Sequence, residues 1–290
     1  MSDWVLGIDG GGTKTLARLQ CAGQEPLELR AGPALLTQDL TGAIGNITAL
    51  CREILTGRQL RANQVALACG VAGAGNTGAA ESLRTSLQSM GFHYANVCSD
   101  AVTSLYGAAN GAPIVMAAVG TGSVVMRLSR DGSTRQYGGW GLAVGDEGSG
   151  AAIGKSAVRA LLWDLDLYGR AESAFCRTIM QRVGRNRSSI LPWLQTAGSY
   201  EYAALAPTVF EHLPDCPRAR AIIADRVSEV ERLIRAALDT DDLPLVLQGG
   251  LAGRLAPHLS ADLRARLVPP RGTALDGACA LARKGITEDA

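Results

Sequence analysis

Histidine is scarce in this chain: 290 residues hold three, His93, His212 and His258. Imidazole acid–base chemistry therefore has little to draw on, and carboxylates must carry any proton transfer. An excess of one charge is missing too. The formal net charge is +1 with the basic residues scattered. No basic stripe or acidic tail points to nucleic acid or to an anionic membrane surface. The longest apolar runs, such as 114–119, have strand length and fall far short of a membrane span. The seven cysteines (Cys21, Cys51, Cys69, Cys98, Cys176, Cys216, Cys279) include no C-x-x-C pair. That spacing, with no histidine near a cysteine pair, argues against zinc and fits free thiols in a reducing cytoplasm. A strand-like segment by Trp4 leaves no room for a signal peptide, so a cytoplasmic location is expected.

What is present is core-forming sequence. Hydrophobic residues make up 47% and charged residues 19%, which predicts folded structure throughout, in one large domain or two ordinary ones. The first third reads as strands at 5–9, 15–21, 27–30, 65–71 and 95–99. Helices lie between them, one with Ile44, Ile47, Leu50, Cys51, Ile54 and Leu55 on a single face, the other with Ala80, Leu83, Leu87 and Met90. From Pro113 a similar order restarts. Strands are predicted at 114–119, 123–128 and 245–248, with a strand-like Leu267-Val268, a long helix near 218–238 and a last helix from Thr273. Residues 151–240 read as a helical insertion. Each half opens with a strand followed by a Gly/Thr turn, which predicts two related α/β domains facing each other. The break is expected near 110–113, where Gly111 and Pro113 interrupt both periodicities.

Five segments carry chemistry. In Asp9-Gly10-Gly11-Gly12-Thr13-Lys14-Thr15, a glycine-rich turn joins two strands. Its free N–H groups can cradle phosphate oxygens, Lys14 adds positive charge, and Asp9 can hold a hydrated magnesium ion. It is neither a Walker loop nor a dinucleotide-binding fingerprint, because the spacing is wrong for the first and a strand rather than a helix follows. Gly120-Thr121-Gly122-Ser123 occupies the matching place in the second half. Either turn alone is an ordinary hairpin element; the pair, at equivalent points of a duplicated fold, is suited to one polyphosphate. Asp100 ends a strand and starts a helix. That position serves a helix N-cap, or equally a base that accepts a hydroxyl proton. Gly138-Gly139-Trp140-Gly141 leads into Gly145-Asp146-Glu147-Gly148-Ser149-Gly150. Here Trp140 suits a sugar face or an acyl group and Asp146 suits sugar hydroxyls; the plain alternative is a flexible loop around a buried Trp. Gln248-Gly249-Gly250 permits close approach of an adenosine.

In combination these segments, with the terminal Asp276-Gly277-Ala278, resemble the N-acetylglucosamine kinase and BadF/BadG/BcrA/BcrD-type ATPase family of the actin and hexokinase superfamily. The resemblance implies two ribonuclease-H-like (actin-like ATPase) domains around a central cleft, over 1–111 and 112–290, with a helical insertion at about 151–240. It implies ATP and Mg2+ as cofactors and phosphorylation of an amino sugar at its 6-hydroxyl, N-acetylglucosamine first and glucosamine next. By position, Gly11, Gly12, Thr13, Lys14, Thr121, Gly122 and Ser123 hold the ATP phosphates, Asp9 holds magnesium through water, and Gly249 and Gly250 border the adenosine. Asp100 is the base, and Trp140, Gly141 and Asp146 join it in lining the sugar site. A homodimer follows from the same resemblance, with neither nucleic acid nor membrane as partner. One position departs: Leu35 stands where relatives that bind N-acetylglucosamine carry an Asn. Two other functions share these loops. One is an ATPase acting on a partner reductase, which would need cysteines for an iron–sulfur cluster; the other is a non-catalytic sugar sensor.

Overall fold

In a computed structural model of the chain, residues 4–92 and 94–288 are described, so His93 lies outside the described residues. The strands are β1 (Trp4–Gly10), β2 (Thr15–Gln20), β3 (Leu27–Ala31), β4 (Val65–Val71), β5 (Ala95–Ser99), β6 (Ile114–Val119), β7 (Ser123–Leu128), β8 (Thr134–Tyr137) and β9 (Leu245–Gln248). The first three helices are α1 (Leu40–Gly57), α2 (Thr77–Ser89) and α3 (Asp100–Ala109). A run of six follows: α4 (Gly150–Tyr168), α5 (Ala174–Val183), α6 (Arg187–Thr196), α7 (Ser199–Ala203), α8 (Ala206–Glu211) and α9 (Pro217–Leu238). The last are α10 (Ala252–Leu255), α11 (Ala261–Ala265) and α12 (Ala274–Glu288). Among the described residues no helix is long and apolar enough to cross a membrane.

Two compact units emerge: 1–114 with 128–134 and 269–290, and 115–127 with 135–268. In the first, a five-stranded sheet has the order β3-β2-β1-β4-β5. The β1–β2 and β2–β3 pairs are antiparallel, whereas β1–β4 and β4–β5 are parallel. Strand alternation sets the two faces. Leu6, Ile8, Leu67, Cys69 and Val71 enter a core with Ile47, Leu50 and Ile54 of α1 and Leu83 and Leu87 of α2. The intervening residues face the other way and are small, because helices lie very close there. A Cβ on Gly7 would sit 2.5 Å from the Cys279 sulfur of α12, and one on Gly70 would sit 2.1 Å from Thr103 Oγ1 of α3. Helix α12 in turn lies against α3, where a Cβ on Gly277 or Gly107 would come within 1.9 Å of a backbone carbonyl oxygen.

The last helix therefore belongs with the first unit, whereas a division at 111/112 gives it to the second. No local signal marks this, because the glycines that admit the helix are spread over the whole chain. Thr273 and Asp276 close its first turn: the Asp276 carboxylate accepts from the Thr273 N–H at 2.7 Å and from the Thr273 hydroxyl. Arg18 of β2 adds an ion pair to Asp276. Burial alone would raise the Asp276 carboxyl, but the Thr273 hydrogen bonds and Arg18 outweigh it and hold it below the usual value.

The second unit holds most of a four-stranded sheet of order β8-β7-β6-β9, with β6 and β9 parallel. Its core gathers Val115, Ala117 and Val119 of β6 with Ile153, Ala157 and Leu161 of α4 and Ile223, Val227, Val230 and Ile234 of α9. The predicted strand at Leu267-Val268 reduces to an isolated bridge between Leu245 and Leu267. The Asp131-Gly132 pair, a hairpin signal after the strand at 123–128, calls for a returning strand, and β8 is that strand, although Thr-Arg-Gln-Tyr has no apolar alternation and its first three residues are exposed at the sheet edge.

Candidate active site

In the first unit the predicted residues gather at the carboxyl end of the parallel strands, where open α/β sheets bind ligands. The register aligns Gly10, Val71 and Ser99 across β1, β4 and β5. Asp9, one residue before the end of β1, and Asp100, one residue past β5, thus belong to strands two places apart, roughly 10 Å between axes at the usual strand spacing. Their proximity is felt electrostatically. Burial first, and the Asp100 charge second, raise the Asp9 carboxyl above its ordinary value, while Lys14 pulls it back. A carboxylate in that state gains from a nearby cation, so Asp9 fits a hydrated divalent ion.

The turn after β1 is fixed at its base and open at its tip. The Gly11 N–H donates to the Lys14 carbonyl at 2.9 Å, the Ala34 N–H to the Gly11 carbonyl at 2.8 Å, and the Ala72 N–H to the Gly10 carbonyl at 2.8 Å. Gly12, Thr13 and Lys14 are exposed, and their N–H groups have no backbone acceptor among the described residues. Such a row of unused donors suits phosphate oxygens. Leu35 forms a bridge with Ala72 just beyond β4, and its apolar side chain offers no hydrogen bond there.

Asp100 is exposed and is the first residue of α3; the N-cap position belongs to Ser99. The capping role considered for Asp100 is therefore set aside by one residue. Its carboxylate is open apart from a 3.0 Å contact from the Ala101 N–H. What fixes its position is the packing of α3 through Thr103, buried against Gly70. Sequence reasoning missed Gly70 and Thr103 as positioning residues. The available signal was a lone glycine inside the buried strand Val65–Val71, a mark of close approach. The neighbouring Cys98 thiol is pushed up to about 12, by burial first and the Asp100 charge second, so it stays protonated and does not compete as a base.

The second unit places its own turns together in the same way. Strands β6 and β9 are parallel with Ala118 opposite Gln248, so Gly120-Thr121-Gly122 and Gly249-Gly250 emerge side by side. Gly249 has φ +98° and a Cβ there would sit 2.3 Å from the Val119 carbonyl oxygen, which only glycine allows. The N-terminus of α4 holds the first turn: Gly150 N–H donates to Gly120 O at 2.8 Å and Ala151 N–H to Thr121 O at 3.1 Å. The Ser123 hydroxyl donates to the Glu147 carbonyl at 2.7 Å.

Asp146 is 7% exposed, at φ +62°, and its carboxylate accepts from the Ser123 N–H at 3.4 Å. Burial raises its carboxyl most, Glu147 adds to this, and N–H groups of Ser123 and Gly141 oppose. Asp146 is thus turned onto the Gly-Thr-Gly turn and the Trp140 loop, joining the two, where the sequence pointed to hydroxyl binding. Trp140 is 78% exposed, which removes the buried-Trp alternative. It sits between Gly139 (φ +74°) and Gly141 (φ +84°), a backbone that presents the indole outward.

The sequence profile of the BadF/BadG/BcrA/BcrD ATPase family matches residues 6–264. The chain belongs to this family. Across it, the glucosamine kinase of Vibrio cholerae is 26% identical over 97% of this chain and 96% of its own length. The N-acetyl-D-glucosamine kinase of Dictyostelium discoideum is 26% identical over 84% of each chain. Among solved structures, a Chromobacterium violaceum protein described as a candidate N-acetylglucosamine kinase shares 31% identity. It has a TM-score of 0.82, with 97% of this chain and 99% of that one covered. The family fold is the ribonuclease-H-like α/β fold, with one sheet and its helices in each unit.

Proposed function

We propose that this BadF/BadG/BcrA/BcrD-family protein is an ATP- and magnesium-dependent amino-sugar kinase. It transfers the γ-phosphoryl group to the 6-hydroxyl of N-acetylglucosamine first and glucosamine second. The observation that carries this is the exposed Asp100 at the carboxyl end of β5, beside Asp9 and the open Gly11–Lys14 turn. The kinase names of relatives matched over nearly the whole chain support it.

Phosphoryl transfer asks for positioning and for charge around the phosphates. The N–H groups of Gly12, Thr13 and Lys14, the Lys14 ammonium and the Thr121–Ser123 turn hold the phosphate oxygens, and Gly249 and Gly250 border the adenosine. Asp9, in water-mediated contact, holds magnesium, which neutralises phosphate charge when bound. Asp100 accepts the proton of the 6-hydroxyl as its oxygen bonds to the γ-phosphorus; the bond from that phosphorus to the bridging oxygen breaks and ADP leaves. Trp140 and Gly141 present a surface for the sugar, and Asp146 keeps their loop in register with the phosphate turn. The protein acts in the cytoplasm as a homodimer.

A coupled ADP-release assay over N-acetylglucosamine, glucosamine, N-acetylmannosamine, glucose and buffer tests the reading. An amino sugar is expected to lead. A preference for glucose or a non-sugar acceptor by more than about tenfold, roughly 1.4 kcal/mol in transition-state binding, overturns it.

A further inference from the structure

Beside the Trp140 loop the second unit has a cavity of about 320 Å³ that none of the roles above uses. One wall is the loop segment 142–147; the others are α4 and α9. Its lining is charged, with Lys155, Arg159, Arg226 and Arg232 against Glu147 and Glu229. Part of this charge is paired internally. Arg226 meets Glu229 at 2.8 Å, and the Lys155 ammonium donates to the Leu142 carbonyl at 3.2 Å. Arg159 and Arg232 are exposed and make neither hydrogen bond nor ion pair among the described residues. Two polar atoms of lining residues are buried with no hydrogen-bond partner: Oε2 of Glu147, an acceptor, and Nε of Arg226, a donor.

Buried polar atoms are ordinarily satisfied, so an orphan acceptor and an orphan donor lining one cavity point to a ligand that supplies both. Setting the Arg226–Glu229 pair aside, three cations face one carboxylate. Guanidinium groups favour phosphate through planar, paired hydrogen bonds, and the cavity lies at the lower end of the ~300–1,000 Å³ of small-molecule sites. That volume suits one phosphorylated monosaccharide and is tight for a nucleoside triphosphate. We infer that this cavity is a second ligand site, taking a small sugar phosphate. Its phosphate lies against Arg159, Arg232 and Lys155, and its hydroxyl or amino group donates to Glu147. The choice of an aminohexose 6-phosphate as that ester rests on the function proposed above; the phosphate and donor chemistry does not. Because the wall at 142–147 connects Trp140 and Gly141 to Asp146, occupancy of the cavity bears directly on the loop that presents the sugar surface.

The test is calorimetric titration of the full chain with its kinase site filled by a non-hydrolysable ATP analogue. Glucosamine 6-phosphate, N-acetylglucosamine 6-phosphate and inorganic phosphate are added in separate arms. One aminohexose phosphate is expected to bind per chain. The double variant Arg159→Ala/Arg232→Ala, which changes only exposed side chains, is expected to weaken that binding tenfold or more. Inorganic phosphate should bind at least tenfold more weakly than the ester. No binding by either ester, or binding unchanged in the double variant, overturns the site. Equal affinity for inorganic phosphate overturns the sugar ester as its ligand. Binding is read without turnover, so a protein that phosphorylates no amino sugar yet binds the ester through Arg159 and Arg232 refutes the kinase reading alone.

Discussion

Replacing Asp100 by Asn isolates proton acceptance from everything else the residue does. The side chain keeps its size, and the amide oxygen can still accept from the Ala101 N–H, the one hydrogen bond found for this carboxylate. The structural cost is small. Asp100 is exposed at the first position of α3, with Ser99 as the cap, so no side-chain cap bond is lost. What disappears is the favourable meeting of a negative charge with the helix N-terminus, worth about 0.3–1 kcal/mol at an exposed site. Against this, the repulsion that Asp100 exerts on the half-buried Asp9 carboxyl is relieved. Net destabilisation should stay below about 1 kcal/mol by urea denaturation. Catalysis should suffer far more. Loss of a positioned general base lowers turnover by ~10²–10⁴, or about 2.7–5.5 kcal/mol of barrier. ATP affinity, measured by equilibrium binding, should change little. An Asn variant that is folded, binds sugar and turns over within a few-fold of wild type would refute Asp100 as the base.

Other outcomes follow from the same geometry. Gly70→Ala puts a Cβ against Thr103 Oγ1, so it should cost about 1–3 kcal/mol by denaturation and lower turnover through the displaced α3. Thr103→Ala in the same chain should restore part of both, and no recovery would disprove the coupling. Trp140→Ala should leave stability within ~0.5 kcal/mol, since the ring is exposed, while raising the sugar KM about tenfold in steady-state assays. For Asp9 the sign of the pH effect is fixed. Its folded carboxyl lies above the unfolded value, so the ionised form opposes folding at neutral pH, and this penalty fades as pH falls through the raised value. Asp9→Asn should therefore raise the apo melting temperature at neutral pH, with the gain shrinking on acidification. In Asp100→Asn the Asp9 carboxyl should move down toward its ordinary value, read by carbon NMR of that carboxyl, because the like charge is gone.

Local chemistry made much of this readable from sequence. Apolar strands such as Val65–Val71 and the glycine turns that follow strands announce themselves within a few residues. So does the long helix from Pro217, whose apolar face recurs from Ile222 to Ile234. The missing parts depend on distant partners. That α12 returns to the first unit is decided by Gly7, Gly107 and Gly277, each making room for a neighbour far along the chain. Whether Asp100 is the cap or the first helical residue turns on a single backbone position. Asp146 was legible as a loop carboxylate, but its positive φ, which turns it onto Ser123, was not.

The proposed reaction moves phosphate from ATP to the 6-oxygen of an amino sugar. Phosphorus–proton correlation NMR of the products tests it most directly, with wild-type protein, ATP, magnesium and N-acetylglucosamine or glucosamine. One ADP per sugar consumed and phosphorus coupled to the C6 protons are expected. ADP and free phosphate with the sugar unchanged, or phosphorus on any other sugar oxygen, would contradict it.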